Sequence, residues 1–230
     1  MGTFADKVIA FCQELEFSGK LPADISMMNP FSENSNVLPV IKGFYKKYYS
    51  DNLSRRLILG INPGRFGAGV TGIPFTDTLR LKEKCGLSIP GIKTHETSSV
   101  FIYEMIDRYG GPEKFYSDYF ISAVSPLGFT KTGSKGKELN FNYYDSKELT
   151  EAIKDFAVES ITKQMTFGIE KDVCFCLGTG KNFLFLSKLN SEHHFFKNIV
   201  PLEHPRFIMQ YRTKQKEYYI NYYMDKLKII

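Results

Sequence analysis

The chain has few cysteines, and their spacing argues against the frameworks that cysteine usually builds. The 230 residues contain four cysteines, none in the C-x-x-C spacing typical of zinc and iron–sulfur sites. Cys174 and Cys176 lie in an apolar run, where strand alternation would put both side chains on one buried face. We therefore expect no disulfide scaffold and no metal, and a reducing compartment inside the cell.

Long apolar runs are also missing from the sequence. No run reaches the roughly 18 residues that a membrane span requires. The first fifteen residues carry Asp6, Lys7 and Glu14, which is unlike a signal peptide. Internal repeats and low-complexity tracts are lacking as well. The expectation is a cytoplasmic protein with no membrane partner.

A strong charge of one sign is the third missing feature. The sequence has 30 Lys and Arg against 25 Asp and Glu, a net charge of +5, and a pI of about 8.8. This mild excess is compatible with a polyanionic partner but does not establish one. The hydrophobic fraction of 43% is ordinary for a globular protein. The length of 230 residues predicts a single domain over residues 1–230.

Predicted strands and helices alternate along the chain. Four apolar runs read as buried strands, at residues 57–61, 119–124, 173–177 and 196–202. Helices are predicted between and after them, at residues 98–109, 145–166, 181–189 and 212–227. Such alternation predicts the α/β class: a three-layer α/β/α sandwich around a four-stranded parallel sheet. Its ligands should lie beyond the carboxyl ends of the strands.

The first 50 residues are predicted to form a helical segment packed on this domain. Phe4, Val8, Cys12 and Leu15 recur at helical spacing. An irregular connection is expected over residues 18–36, followed by a second helix over residues 39–49.

The densest functional signal follows the first buried strand. Residues 60–75, at the end of this strand, hold five glycines and two prolines, so the backbone can turn sharply and approach a ligand closely. Asn62 leaves the strand end with a neutral amide that can orient a water but cannot act as a strong base. Phe75 ends the loop as a possible platform for a planar ring. A purely structural turn is the alternative.

Two further loops at the same predicted edge carry polar side chains. His204 follows the last strand and could donate to negative charge that develops on a substrate, although a structural histidine is the alternative. Residues 130–137 form a predicted basic, flexible loop suited to phosphate contacts. A third loop, at residues 178–182, fails as a phosphate loop because Asn182 replaces the magnesium-binding Ser or Thr. Thr179 is expected there as a helix cap.

The segment from Gly60 to Phe75 closely resembles the first active-site motif of single-strand-selective monofunctional uracil-DNA glycosylases. Residues 96–99, 120–127 and 173–180 are similar to later segments of that family in the same order. His204 and Pro205 stand where its second active-site motif begins. The resemblance spans roughly residues 55–210.

This resemblance implies removal of uracil-type bases from DNA by hydrolysis of the N-glycosidic bond, with the target nucleotide extruded. It implies that Asn62 orients the attacking water, Phe75 stacks on the base and His204 stabilises the departing base anion. The residues expected to line the base pocket are Gly64, Phe66, Gly67, Ala68, Phe75, Ala123 and Ser125. No lysine is placed as an imine nucleophile, so a monofunctional enzyme without cofactors is expected. It should act on DNA as a monomer.

The sequence departs from the family at two places. The uracil-reading asparagine of the family falls on Ala123, which cannot make the two base hydrogen bonds. Ser125, expected on the same strand face, could partly substitute, whereas Ser122 should point the other way. After Pro205 the second motif diverges, and Arg206, Phe207 or Ile208 could serve as the wedge that fills the vacated stack.

The DNA-contacting residues are expected on the same rim as the base pocket. They are Lys131, Ser134, Lys135, Lys137, Arg206, Phe207 and Arg212. DNA affinity should therefore fall steeply with salt.

Three hypotheses follow from the sequence. The first is a DNA glycosylase with altered or relaxed base preference, acting on deaminated or oxidised bases. The second is a protein of the same fold that binds DNA or a damaged base without cleaving it, which Ala123 favours. The third is a hydrolase of free nucleosides, which would turn over without a DNA strand and with little salt dependence.

Overall fold

The fold is described from a computed structural model that covers residues 2–133 and 136–228 of the chain. Seven strands are present in this part of the chain: β1 Ile25–Met28, β2 Arg55–Gly60, β3 Tyr119–Ala123, β4 Gly128–Thr132, β5 Glu138–Phe141, β6 Ile169–Leu177 and β7 Asn198–Leu202. The helices of the first half are α1 Phe4–Glu14, α2 Pro30–Glu33, α3 Val37–Tyr48, α4 Ala68–Thr71, α5 Thr78–Cys85, α6 Thr97–Tyr109 and α7 Pro112–Asp118. Those of the second half are α8 Lys147–Ala152, α9 Lys154–Met165, α10 Lys181–His193, α11 Pro205–Tyr211 and α12 Lys216–Lys228, with a 3-10 turn at Thr213–Gln215.

The central sheet has four parallel strands in the order β3-β2-β6-β7. Its two middle strands, β2 and β6, carry the continuous apolar runs of the sequence, and these runs are buried. Burial on both faces is what such runs require. The predicted four-stranded parallel sheet between helices is confirmed.

Alternation along β3 separates the two helical layers. Phe120 faces α1 and α3, where its ring packs against Phe4 and Tyr49. Tyr119 faces the opposite layer, where its hydroxyl donates to the Leu227 carbonyl of α12 at 2.5 Å. The predicted α/β/α arrangement follows from this alternation.

The N-terminal helices are tied to the sheet through a buried arginine. The Arg55 guanidinium makes two parallel hydrogen bonds to Asp51, at 2.9 and 2.8 Å, and a third to the Tyr116 carbonyl at 2.7 Å. The rings of Phe4 and Tyr49 lie on it at 4.6 and 4.7 Å. Because the charge is fully paired and hydrogen-bonded, it can be buried without a large desolvation cost.

A second sheet corrects two sequence predictions. Strands β1, β4 and β5 form a three-stranded antiparallel sheet, so residues 18–36 are not wholly irregular and residues 130–137 are not simply a flexible loop. Lys131, predicted to contact DNA, pairs with Asp24 at 2.7 Å and lies over the Phe141 ring. Its ammonium group is therefore engaged within the protein.

Several helix boundaries also differ from the predictions. The predicted helix over residues 145–166 is two helices, α8 and α9, which meet at Ile153, and Ser146 caps the first of them. Gly180, without a side-chain hydrogen bond, occupies the cap position expected for Thr179. The segment after His204, predicted as a loop, is helix α11, which begins with Pro205 at a favourable first-turn position.

No helix in the described ranges is long and apolar enough to cross a membrane.

Candidate active site

A cavity of about 770 Å³ opens at the carboxyl ends of the parallel strands. Asn62 follows β2, Ala123 ends β3, Gly178 follows β6 and His204 follows β7, and all four line it. Adjacent parallel strands necessarily bring their following loops to one edge. This is why residues far apart in the sequence meet here.

Phe75 lies over the end of strand β2 and has an unfavourable backbone conformation. Its φ is +52°, in the left-handed region that non-glycine residues rarely adopt. The ring lies so close to Gly60 that a Cβ there would be 3.0 Å from Cε2 of Phe75. Strain of this kind persists where the surroundings impose it, and it is concentrated at functional sites. The Phe75 ring, held in this way, lines the cavity.

The Asn62 amide is fixed by backbone groups of Pro63, of Phe141 at the end of β5, and of Tyr143 just after it. Its Nδ2 donates to the carbonyls of Phe141 at 3.2 Å and Pro63 at 3.3 Å. Its Oδ1 accepts from the backbone N–H of Tyr143 at 3.0 Å. Because an amide oxygen has two lone pairs, Oδ1 retains capacity for one more donor, such as a water in the cavity.

His204 is arranged as a neutral hydrogen-bond donor. Its Nδ1 accepts from the backbone N–H of Arg206 at 3.1 Å, so the proton of the neutral ring resides on Nε2. Burial and the nearby Arg206 lower the pKa of His204 to about 4. The imidazole is therefore uncharged at neutral pH. Its ring centroid is 5.7 Å from that of Phe75.

Glu96 also lines this cavity with its carboxyl group, although the sequence did not predict it as a site residue. It precedes α6 without capping it, and its side chain turns towards the glycine loop instead. A Cβ at Gly67 would lie 2.2 Å from Oε2 of Glu96, so only glycine fits opposite this carboxyl group. Burial and the neighbouring Asp77 raise the pKa of Glu96 to about 7, against a smaller opposing effect of Ser99 and Arg206. The signal in the sequence was its place in the family-like segment at residues 96–99.

The predicted base-pocket residues divide into two groups. Those that line the cavity are Gly64, Ala68, Phe75 and Ala123. Phe66 does not line it, because its ring is 49% exposed and packs under Arg65, and Gly67 is covered by Glu96. Ser125, expected to substitute in part for the base-reading asparagine, does not line the cavity. It is fully buried, and its hydroxyl donates to the Leu127 carbonyl at 2.9 Å.

The predicted DNA-contacting residues are also only partly brought together. Arg206 and Phe207 line the mouth of the cavity and are exposed, and Arg212 lies against the Phe207 ring at 5.7 Å. Lys137 is exposed in the segment before β5. Ser134 and Lys135 lie outside the described residues.

The cavity continues beneath the N-terminal helices. Val8 and Cys12 of α1, Tyr45 of α3 and Ser122 of β3 line this extension. Ser122 and Ala123, neighbours on β3, both line the cavity. The walls of the extension are mainly apolar.

No group of three or more His, Cys, Asp or Glu side chains that could hold a metal ion occurs within residues 2–133 and 136–228.

Comparison with known proteins identifies a matching family and a solved structure of the same fold. The family model of the uracil-DNA glycosylase superfamily matches residues 46–228. The chain is similar to the crystal structure of wild-type SMUG2 from Pedobacter heparinus, with 56% sequence identity, a TM-score of 0.97, and coverage of 99% of this chain and 98% of that one. A search of curated proteins found no match.

Proposed function

Because this chain belongs to the uracil-DNA glycosylase superfamily and is a DNA glycosylase, we propose that it hydrolyses the N-glycosidic bond of a flipped-out, uracil-like base. We further propose that it is monofunctional, acts in base-excision repair and has altered or relaxed base specificity. One observation carries this proposal. The clamped Asn62 amide, the neutral His204 donor and the Phe75 ring line a single cavity.

The chemistry of these three residues is complementary. Phe75 supplies a flat surface for the extruded base. As the C1′–N bond breaks, its electron pair moves onto the base, and Nε2–H of His204 donates to the oxygen that gains negative charge. A preorganised donor of this kind stabilises the transition state more than the ground state. Asn62 Oδ1 orients the water that attacks C1′.

Hydrolysis by water, without a covalent intermediate, is supported by the position of Lys181. Among the described residues, Lys181 is the lysine that lines the cavity. It is exposed, with its ammonium group 5.8 Å from the centre of the Tyr144 ring. An amine nucleophile is usually activated by desolvation or by another cation. Lys181 lacks a desolvated setting, so we assign the chemistry to water.

Altered specificity is supported by the apolar side chain of Ala123 on the cavity wall. A bidentate base-reading contact typically contributes about 1–3 kcal/mol of discrimination. The Ser125 hydroxyl donates to the Leu127 carbonyl. It therefore does not replace the base-reading contact that Ala123 lacks. A pocket of this kind should tolerate more than one base.

The test is base release from oligonucleotides that carry uracil, 5-hydroxymethyluracil, hypoxanthine or xanthine, in single and double strands. We expect release of at least one base by the native protein. Asn62→Ala should lower the rate by roughly 10²-fold or more, the usual effect of removing one preorganised polar group. Asn198→Ala, which changes an exposed asparagine of β7, is the matched control and should keep full activity.

The same experiment separates the other functions. Tight binding to a modified strand with no release of any base would favour a non-cleaving binding protein. Turnover of free nucleosides at the rate seen with DNA would favour a nucleoside hydrolase. An unaffected rate in Asn62→Ala would contradict the mechanism proposed for Asn62.

A further inference from the structure

We propose that Glu96 is a catalytic residue of this site, the general base that takes the proton of the attacking water. This inference rests on the proposed hydrolysis of an N-glycosidic bond and adds to it the group that completes the proton balance.

The first support is the position of the Glu96 carboxyl group. It lies against the loop that carries Asn62: a Cβ at Gly64, two residues after Asn62, would be 3.0 Å from Oε1 of Glu96. Glu96, Asn62 and His204 all line the same cavity. The Glu96 carboxyl group thus lies against the loop that begins with Asn62, in the cavity where a water held by Oδ1 of Asn62 would bind.

The second support is the small number of partners that Glu96 has within the protein. In the described structure its carboxylate accepts one side-chain hydrogen bond, from Oγ of Ser99 to Oε2 at a long 3.3 Å. The nearby N–H of Gly67 donates to the Gly64 carbonyl and not to Glu96. The half-buried carboxylate therefore has capacity to accept further hydrogen bonds. A bound water or substrate group in the cavity can donate to Oε1.

The third support is chemical. Attack of water at C1′ forms a C–O bond while the C1′–N bond breaks and its electron pair leaves on the base. One proton must leave the water oxygen during this step. Asn62 cannot accept it, because an amide is not a base at neutral pH, and Nδ1 of His204 is occupied by the Arg206 N–H. The Glu96 carboxylate can take the proton, and the base anion is later protonated from solvent.

The electrostatic surroundings suit this role. Asp77, which precedes α5, accepts the backbone N–H of Glu96 at 2.7 Å, and burial together with this negative neighbour raises the pKa of Glu96 to about 7. Arg206 of α11 and the Ser99 hydroxyl of α6 act in the opposite direction. A general base works best when its pKa lies near the operating pH. His204, with a pKa of about 4, titrates in a separate range.

The experiment is a pH profile of single-turnover base release from the preferred oligonucleotide between pH 5 and 9. In the native protein the rate should rise tenfold per pH unit below about pH 7, as Glu96 loses its proton, and level off above it. Glu96→Gln should lower the plateau by roughly 10²- to 10⁴-fold and abolish this rise. Asn62→Ala should be slow but keep the rise, since Glu96 remains.

Two controls make the result decisive. Glu113→Gln changes an exposed glutamate of α7 and should leave rate and profile unchanged. Glu96→Ala should recover at least tenfold in activity when formate is added, whereas Glu96→Gln, whose side chain fills the space, should not. Formate rescue is not expected if Glu96 only braces the glycine loop.

An active native protein whose Glu96→Gln variant keeps the rise near pH 7 would overturn this inference and leave the proposed function intact. Absence of base release by the native protein across all substrates would instead reject the proposed function. Thermal melting at pH 8 checks that the variant is folded. Its melting temperature should not fall, because glutamine removes a buried charge that is fully ionised above pH 7.

Discussion

Ala123 contributes to the wall of the cavity but not to the groups proposed for bond cleavage. It ends strand β3 next to the glycine loop, with 7% of its surface exposed to the cavity. The groups proposed for bond cleavage, Asn62 and His204, come from other strands. Base preference can therefore vary at this position without moving the reacting groups.

Replacing Ala123 by asparagine should increase the preference for uracil. A side-chain amide at this position could both donate to and accept from the edge of the base, and such a pair is worth about 1–3 kcal/mol, or one to two decades. The measurement is kcat/KM for uracil relative to the other bases. Ala123→Ser, which adds a polar group without the paired geometry, is the control. An unchanged ratio in Ala123→Asn would show that the base edge does not face this position.

Individual site residues differed in how readily the sequence revealed them. Asn62, Phe75 and His204 follow apolar strands or end a glycine-rich loop, so strand alternation alone brings them to one edge. Glu96 follows no strand. Its carboxyl group enters the cavity because residues 86–96 return the chain to the glycine loop, where Asp77 accepts the Glu96 backbone N–H. A tertiary contact of this kind leaves no periodic signal.

The segment between β5 and α8 connects Asn62 to the interior of the protein through hydrogen bonds of Tyr143. Oη of Tyr143 donates to Oδ1 of Asn182 at 2.7 Å, and Nδ2 of Asn182 donates to the Leu177 carbonyl at 3.0 Å. Tyr143 also holds Asn62 through its backbone N–H. Helix α10, the end of β6 and the predicted water-binding amide are thus joined by one buried network.

Tyr143→Phe should weaken catalysis without removing any group that contacts the substrate. The variant leaves Oδ1 of buried Asn182 unsatisfied, which costs about 1–3 kcal/mol of stability, and it frees the segment that fixes Asn62. Small displacements at a reacting centre can lower rates by as much as about 10²-fold, so we expect a fall in kcat of roughly tenfold with little change in KM. Tyr218→Phe, at an exposed position, is the control. A change in KM alone would contradict a positioning role.

The elements that the sequence did not predict are short or polar. β5 is the outer strand of the small sheet and is largely exposed. Its residues therefore lack an apolar pattern and resemble a loop in the sequence. Helices α2, α4 and α11 have four to seven residues, too few for a 3.6-residue period to stand out. The long buried strands and α6, with Gly110 after it, follow simple rules and were predicted.

The mouth of the cavity carries exposed positive charge next to an aromatic side chain. The net charge is +5, but many surface cations are paired, among them Lys131 with Asp24. Arg206 and Phe207 flank the opening, and Arg212 lies on the Phe207 ring. This arrangement gives a short basic rim with an aromatic side chain at its centre.

DNA affinity should therefore fall with salt, with a slope that a few residues set. Each phosphate contact contributes a slope of about 0.7–0.9 in a plot of log affinity against log salt. Arg212→Ala should reduce the slope by about 1, whereas Lys163→Ala, on helix α9 and paired with Glu14, should leave it unchanged. The measurement is fluorescence anisotropy with labelled oligonucleotides. A native affinity that does not depend on salt would remove this rim from the interface.

The small antiparallel sheet has a consequence for how the molecule assembles. Ile25 of β1 pairs with Lys131 of β4, about a hundred residues later in the chain, and β5, which carries the carbonyl of Phe141 that holds Asn62, pairs with β4 in turn. Pairings so distant in sequence close large loops and form slowly. We therefore expect the Asn62 amide, the proposed water-orienting group, to reach its final setting late in folding, once β4 and β5 have paired. During synthesis and refolding, competence for base removal should be among the last properties that the protein acquires.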